Sequence, residues 1–207
     1  VGNGVAPDDD QAYPTWCVRN MDIADCLNGI LCGIYGTETL DALTVENCKF
    51  LDVDSTSGIL GIVYLSAAGT STIRSLKVSN ITHRNSLYQG VHCATAAGAT
   101  IGQLTIRDCN AYNWSTSSAG SYTWFGTSGS GTFGPIHLEN IEANGNSNGK
   151  TIVGLTGQAS TVSRLTFSNL RVTGTTAPGR PLTDTDTSAT FNFAIGNYII
   201  IAYQRKF

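Results

Sequence analysis

A chain of 207 residues is long enough to bury one sizeable core. Its 13% charged residues and formal net charge of −3 give no electrostatic reason to expect nucleic acid or an anionic membrane as partner. No run approaches the roughly 18 apolar residues of a membrane helix, and no basic stretch followed by an apolar one marks a signal peptide.

The chain opens on Val1 rather than Met, the start expected of a processed or excised piece. Residues 1–17 show no sustained period and read as a polar lead-in segment. The run Asp8-Asp9-Asp10 within it reads as solvated rather than as a cation site. The 23 glycines and the many Ser and Thr suit short strands joined by turns.

From about 18 to 174 one phrase recurs. It stands as Met21-Asp22-Ile23-Ala24-Asp25-Cys26, Leu43-Thr44-Val45-Glu46-Asn47-Cys48 and Leu76-Lys77-Val78-Ser79-Asn80-Ile81. It returns as Leu104-Thr105-Ile106-Arg107-Asp108-Cys109, Ile136-His137-Leu138-Glu139-Asn140-Ile141 and Leu165-Thr166-Phe167-Ser168-Asn169-Leu170. Its Asn/Asp positions (25, 47, 80, 108, 140, 169) are 22, 33, 28, 32 and 29 residues apart, spacings that mark a repeat architecture.

Alternation with period two makes each phrase a strand with one buried face. Met21, Leu43, Leu76, Leu104, Ile136 and Leu165 form one inward column, and Ile23, Val45, Val78, Ile106, Leu138 and Phe167 form the next. Asn and Asp tolerate a left-handed conformation, so the chain bends at the fifth position. Past the bend, Phe50, Ala111, Ala143 and Val172 resume the alternation. His83 shares their column and reads as a hydrogen-bonded core residue. Most repeats then carry a further strand-like run, at 29–32, 59–64, 90–93, 122–125 and 151–154.

Two or three strands per repeat without a helical period predict an all-β fold, a parallel β-helix of about six coils. The repeats are too short for four-stranded propeller blades. Cys26, Cys48 and Cys109 stand where other copies carry Ile81, Ile141 and Leu170, so free buried thiols are expected there. No paired C-x-x-C spacing suggests zinc, and no cofactor is expected. Beyond 174 the rhythm breaks into a polar loop, and the apolar residues from Phe191 to Tyr203, interrupted by Gly196-Asn197, predict a hairpin that caps the last coil.

Short coils with an Asn column, Cys/Ile/Val stacks and Gly/Ser/Thr-rich loops resemble the pectin-lyase-like superfamily of right-handed parallel β-helices. Within it the chain is most similar to phage tailspike and capsule-depolymerase domains. The resemblance rests on the L-x-V-x-N-C phrase over about 18–174. The opening Gly2-Asn3-Gly4-Val5-Ala6-Pro7-Asp8-Asp9 is similar to the Gly-Asp-Gly-x-x-Asp-Asp start of many such domains, although Tyr13-Pro14 does not continue into their capping helix. The resemblance implies right-handed coils, polysaccharide as the partner on a solvent-facing sheet, a homotrimer, and a place in a virion (phage tail) or outside the cell. The Asp-rich catalytic phrases of polygalacturonases are missing, so no family active site carries over.

Candidates for chemistry therefore come from the outward positions of the phrase. These form the columns Asp22, Thr44, Lys77, Thr105, His137, Thr166 and Ala24, Glu46, Ser79, Arg107, Glu139, Ser168. Sugar cleavage needs two carboxylates flanking the bond, or a base beside a cation. Glu46 and Glu139 stand three coils apart, about 14 Å at the inter-strand spacing, beyond the roughly 5–9.5 Å of glycosidase pairs. Asp22 and Glu46, on neighbouring coils and about 8 Å apart by the same spacing, are the better glycosidase pair. Arg107 and Glu139 are direct neighbours and, with His137 and Lys77, suggest a lyase-like cluster on an acidic sugar. The competing reading is a cross-strand salt bridge on a solvated face.

His92, between inward-facing Val91 and Cys93, is expected to point outward, as is His137. Tyr122 and Trp124, close to Tyr112 and Trp114, form a sugar-stacking platform if exposed and packing beneath a long loop if not. The function these features suggest is binding and cleavage of a surface or capsular polysaccharide, by hydrolysis or elimination. The alternative is a non-catalytic receptor-binding or structural shaft of the same fold.

Overall fold

The computed structural model describes residues 12–26, 29–53, 61–86, 89–114, 123–144, 151–155, 161–173, 182–184 and 193–195. Each coil lays down strands in a fixed order. The first has β1 (Ala12–Arg19), β2 (Asp22–Cys26) and β3 (Ile30–Ile34), and the second β4 (Thr39–Glu46), β5 (Lys49–Val53) and β6 (Gly61–Ala67). The third has β7 (Thr72–Ser79), β8 (Thr82–Arg84) and β9 (Gln89–Thr95). From the fourth on, one long strand spans the first two faces: β10 (Thr100–Tyr112) leads to β11 (Thr123–Gly129), β12 (Thr132–Asn144) to β13 (Thr151–Leu155), and β14 (Thr161–Thr173) to β15 (Leu182–Asp184). A last strand, β16 (Phe193–Ile195), follows.

All pairings among the described residues are parallel. One sheet runs β1-β4-β7-β10-β12-β14-β16, with β2, β5 and β8 joining it beyond the corner, and the other runs β15-β13-β11-β9-β6-β3. The molecule is a parallel β-solenoid. Its stretch from β1 to β11 makes about 4 turns, against the six coils expected, and β12 to β16 extend the same two stacks.

The corners explain why the phrase carries Asn or Asp. Asn20, Asn47, Asn80, Asp108, Asn140 and Asn169 all have φ between 51° and 55°, a region that costs most L-residues roughly 1–2 kcal/mol. Their side chains also form a ladder. Asn80 Nδ2 donates to Asn47 Oδ1 at 2.8 Å, Asn140 Nδ2 to Asp108 Oδ1 at 2.9 Å, and Asn169 Nδ2 to Asn140 Oδ1 at 2.8 Å. A second ladder turns the chain five residues later, at Asp25, Asp52, Asn85 and Asn113, again with φ near 50°. Asn113 Nδ2 donates to Asn85 Oδ1 there at 3.0 Å.

The second ladder corrects the reading of the first coil. Asp25 belongs to the second corner and Asn20 to the first, so the first copy of the phrase is Trp16-Cys17-Val18-Arg19-Asn20-Met21. Trp16 stands opposite Leu43 and Val18 opposite Val45, and the step from Asn20 to Asn47 is 27 residues. The apolar residues Trp16, Val18, Met21, Ile23 and Cys26 repeat the same spacing of two then three across both corners, and both corners take Asn or Asp. The pattern therefore fits two registers five residues apart, and only backbone pairing separates them. Cys26 then aligns with Val53 rather than with Cys48, and Met21 occupies the Cys48 column at the end of the stack, 48% exposed.

The other columns stack as expected. Leu43, Leu76, Leu104, Ile136 and Leu165 are at most 1% exposed, and Val45, Val78, Ile106, Leu138 and Phe167 at most 3%. Each such side chain contributes about 1.5–3 kcal/mol by leaving water. Cys48 and Cys109 are buried free thiols. The Cys109 Sγ–H donates to the Arg107 carbonyl at 3.1 Å, and burial pushes its pKa up to about 12.

Both ends of the solenoid carry strands of their own. The lead-in segment is already a strand from Ala12 on, while Asp8-Asp9-Asp10 lies outside the described residues. Past 174, β15 pairs with β13 and β16 with β14, both in parallel, so the stacks continue into the stretch read as loop and hairpin. Phe193–Ile195, part of the expected hairpin, is thus a further rung over Leu165–Phe167. Residues 196–207 lie outside the described residues.

Candidate functional site

The outward face of the first sheet carries two polar columns set by strand register. One is Cys17, Thr44, Lys77, Thr105, His137 and Thr166; the other is Arg19, Glu46, Ser79, Arg107, Glu139 and Ser168. The sequence reading places Asp22 and Ala24 where the structure has Cys17 and Arg19. Asp22 stands opposite Lys49 on the face beyond the corner, with Lys49 Nζ at 3.6 Å from Oδ2. Asp22 and Glu46 are therefore not two carboxylates across one bond. The shifted register puts Arg19 beside Glu46 instead.

Glu46 is held from both sides. Arg19 Nε lies 2.7 Å from Oε1 and Lys77 Nζ 3.7 Å from Oε2. Two cations around one carboxylate leave it poorly placed to act as a base, and Glu139 remains three rungs away in the same column.

His137 is the better-equipped group. Thr166 Oγ1 lies 2.8 Å from His137 Nδ1 and 3.3 Å from the Ile136 carbonyl. That contact and the Glu139 carboxylate hold the two ring nitrogens from opposite sides. Nε2 faces Glu139 Oε2 at 3.6 Å. Arg107 is in register with Glu139, but its guanidinium Nε lies 3.8 Å from the corner carboxylate of Asp108. Lys77 stands two rungs from His137 with Thr105 between them. The expected four-residue cluster is thus spread along the stripe.

The aromatic candidates divide differently. Trp114 and Trp124 are 0% exposed and present no ring face to a sugar. Trp114 directly follows the second corner and fills the interior there. Tyr122 lies outside the described residues. Tyr112 is 36% exposed, with the Arg84 guanidinium 5.2 Å from its ring centroid.

His83 is buried as expected, between Phe50 and Ala111, and its Nε2 pairs with Ser86 Oγ. Burial lowers its pKa to about 3. His92 lies on the outer face of the second sheet but is only 2% exposed. It stacks on Tyr64 with ring centroids 5.6 Å apart and planes within 4°. Its Nδ1 is 2.5 Å from Gln89 Oε1 and its Nε2 2.8 Å from Ser128 Oγ. Sequence reasoning singled out neither Gln89 nor Ser128. The available signal was Gly126 beside His92: a Cβ there would lie 2.7 Å from Gln89 Nε2, so the glycine leaves room for the amide where it stands.

No group of three or more His, Cys, Asp or Glu among the described residues is placed to hold a metal ion. Compared with protein-family models, curated proteins and solved structures, the chain matches none. Fold and site together define a parallel β-solenoid that presents a mixed cationic, imidazole and hydroxyl stripe on the outside of one sheet.

Proposed function

We propose that this stripe binds a surface or capsular polysaccharide bearing acidic sugars, and that cleavage, by elimination, centres on His137. The observation that carries the reading is the oriented ring of His137, with Nδ1 at 2.8 Å from Thr166 Oγ1 and Nε2 at 3.6 Å from Glu139 Oε2. In this reading Nε2 takes the proton next to the sugar carboxylate. Arg107 and Lys77 supply positive charge to the acidic chain, and the threonines at about 4.8 Å per rung hydrogen-bond its hydroxyls. The low net charge confines this attraction to the stripe. By its resemblance to tailspike domains the chain acts outside the cell or on a virion, as a homotrimer. Sedimentation of the purified protein tests the trimer.

A second reading, a non-catalytic shaft, is favoured by the ion pairs Arg19–Glu46–Lys77, which satisfy one another without a ligand, and by the burial of both Trp114 and Trp124. Incubation with a panel of acidic polysaccharides, followed by ultraviolet absorbance of unsaturated sugar ends, separates the two. His137→Gln should abolish the signal and retain binding. Binding by the wild type without any product would remove the lyase reading and leave the shaft.

A further inference from the structure

The outer face of the second sheet holds a polar cluster that the stripe does not use. His92 on β9 is in register with Tyr64 on β6 and Gly126 on β11. Gln89 Oε1 only accepts, so it assigns the proton to His92 Nδ1, and Nε2 accepts from the Ser128 hydroxyl at 2.8 Å. Ser128 stands opposite Ala94, which stands opposite Ser66. On the β9 side the rung neighbour of Ser128 is the methyl of Ala94, and its hydroxyl points along its own face to the imidazole. Tyr64 fixes the ring plane from the coil below. Ser128 is partly exposed while the groups behind it are buried.

A hydroxyl at hydrogen-bond distance from a base, with that base oriented by a third group, is the arrangement of an activated nucleophile. The register neighbours of His92 are Tyr64 and a glycine. Burial lowers the imidazole pKa to about 4, so the ring stays unprotonated, as a proton acceptor must be, across neutral pH.

We propose that Ser128 is the nucleophile of an acyl-transfer site, with His92 as its base and Gln89 as the positioning residue, acting on carboxylic esters of small acyl groups. Ser128 Oγ bonds to the ester carbonyl carbon as its proton passes to His92 Nε2. The carbon–oxygen bond to the alcohol then breaks, and that alcohol leaves with the proton from His92. Water repeats the sequence on the acyl-serine, giving the carboxylic acid and restoring Ser128. The proposal is independent of the stripe on the first sheet.

The test uses the whole folded chain. A fluorophosphonate is expected to modify Ser128, located by peptide mass mapping, and p-nitrophenyl acetate to be hydrolysed. Ser128→Ala and His92→Asn should lose both, with the circular dichroism of the wild type retained. Gln89→Ala should slow the modification and Gln89→Glu restore it, a rescue that a merely space-filling amide would not give. Absence of label on Ser128 in the folded wild type overturns the proposal without recourse to any variant. Ester hydrolysis undiminished in Ser128→Ala overturns it as well.

Discussion

Asn140 tests the physics of the corners. Its φ is 51°, and its side chain donates to Asp108 at 2.9 Å and accepts from Asn169 at 2.8 Å. Alanine at this position meets the left-handed penalty of roughly 1–2 kcal/mol and loses two hydrogen bonds. Both bonds are solvent-exposed, which places them at the low end of their range, about 0.5 kcal/mol each. Asn140→Ala is therefore expected to destabilise by about 2–3 kcal/mol, the sum of those two contributions. Asn140→Gly loses the ladder but adopts the backbone without strain, at the cost of extra freedom in the unfolded chain, for a net of about 1–2 kcal/mol. Urea unfolding followed by circular dichroism measures both variants. The glycine variant should unfold at the higher midpoint. An alanine variant as stable as, or more stable than, the glycine one would show that the corner is not selected for its left-handed backbone.

Three further outcomes follow from burial. His83 and His92 have folded pKa values lowered to about 3 and about 4. The unfolded chain therefore binds their protons first: stability is complete above the ordinary histidine value near 6.5 and falls as pH drops toward the folded values. The slope should approach about 1.4 kcal/mol per pH unit for each imidazole. Unfolding midpoints between neutral and mildly acidic pH should show this, and His83→Gln should remove its share; an unchanged slope would refute the assignment. A thiol reagent should titrate exposed Cys17 in the native protein and reach Cys32, Cys93 and Cys109 only on unfolding, because burial encloses these thiols and raises their pKa values. Trp114→Phe should lower stability and leave polysaccharide affinity unchanged, since the ring is wholly buried; a selective loss of affinity measured by calorimetry would place Trp114 at the binding surface.

The solenoid itself was legible because its determinants are local. The L-x-V-x-N phrase states strand alternation and a left-handed corner within five residues, and any coil that repeats it must stack like on like. Hence the inward columns, the burial of Cys48 and Cys109, and the place of His83 between Phe50 and Ala111 follow from the residues alone. The register of the first coil does not. Trp16 to Cys26 satisfies the same alternation twice, across two corners that both accept Asn or Asp. Only the pairing of β1 with β4 decides that Arg19, not Ala24, lies beside Glu46. Burial of Trp124 was equally open, because an outward position on a strand can be covered by other parts of the chain. The cluster of Gln89, His92 and Ser128 joins residues 36 positions apart through a connection of variable length, and loop length determines which side chains meet without leaving a periodic mark. Local alternation and corner chemistry sufficed for the architecture; which polar groups touch was decided by stacking across coils, where no single stretch of sequence carries the information.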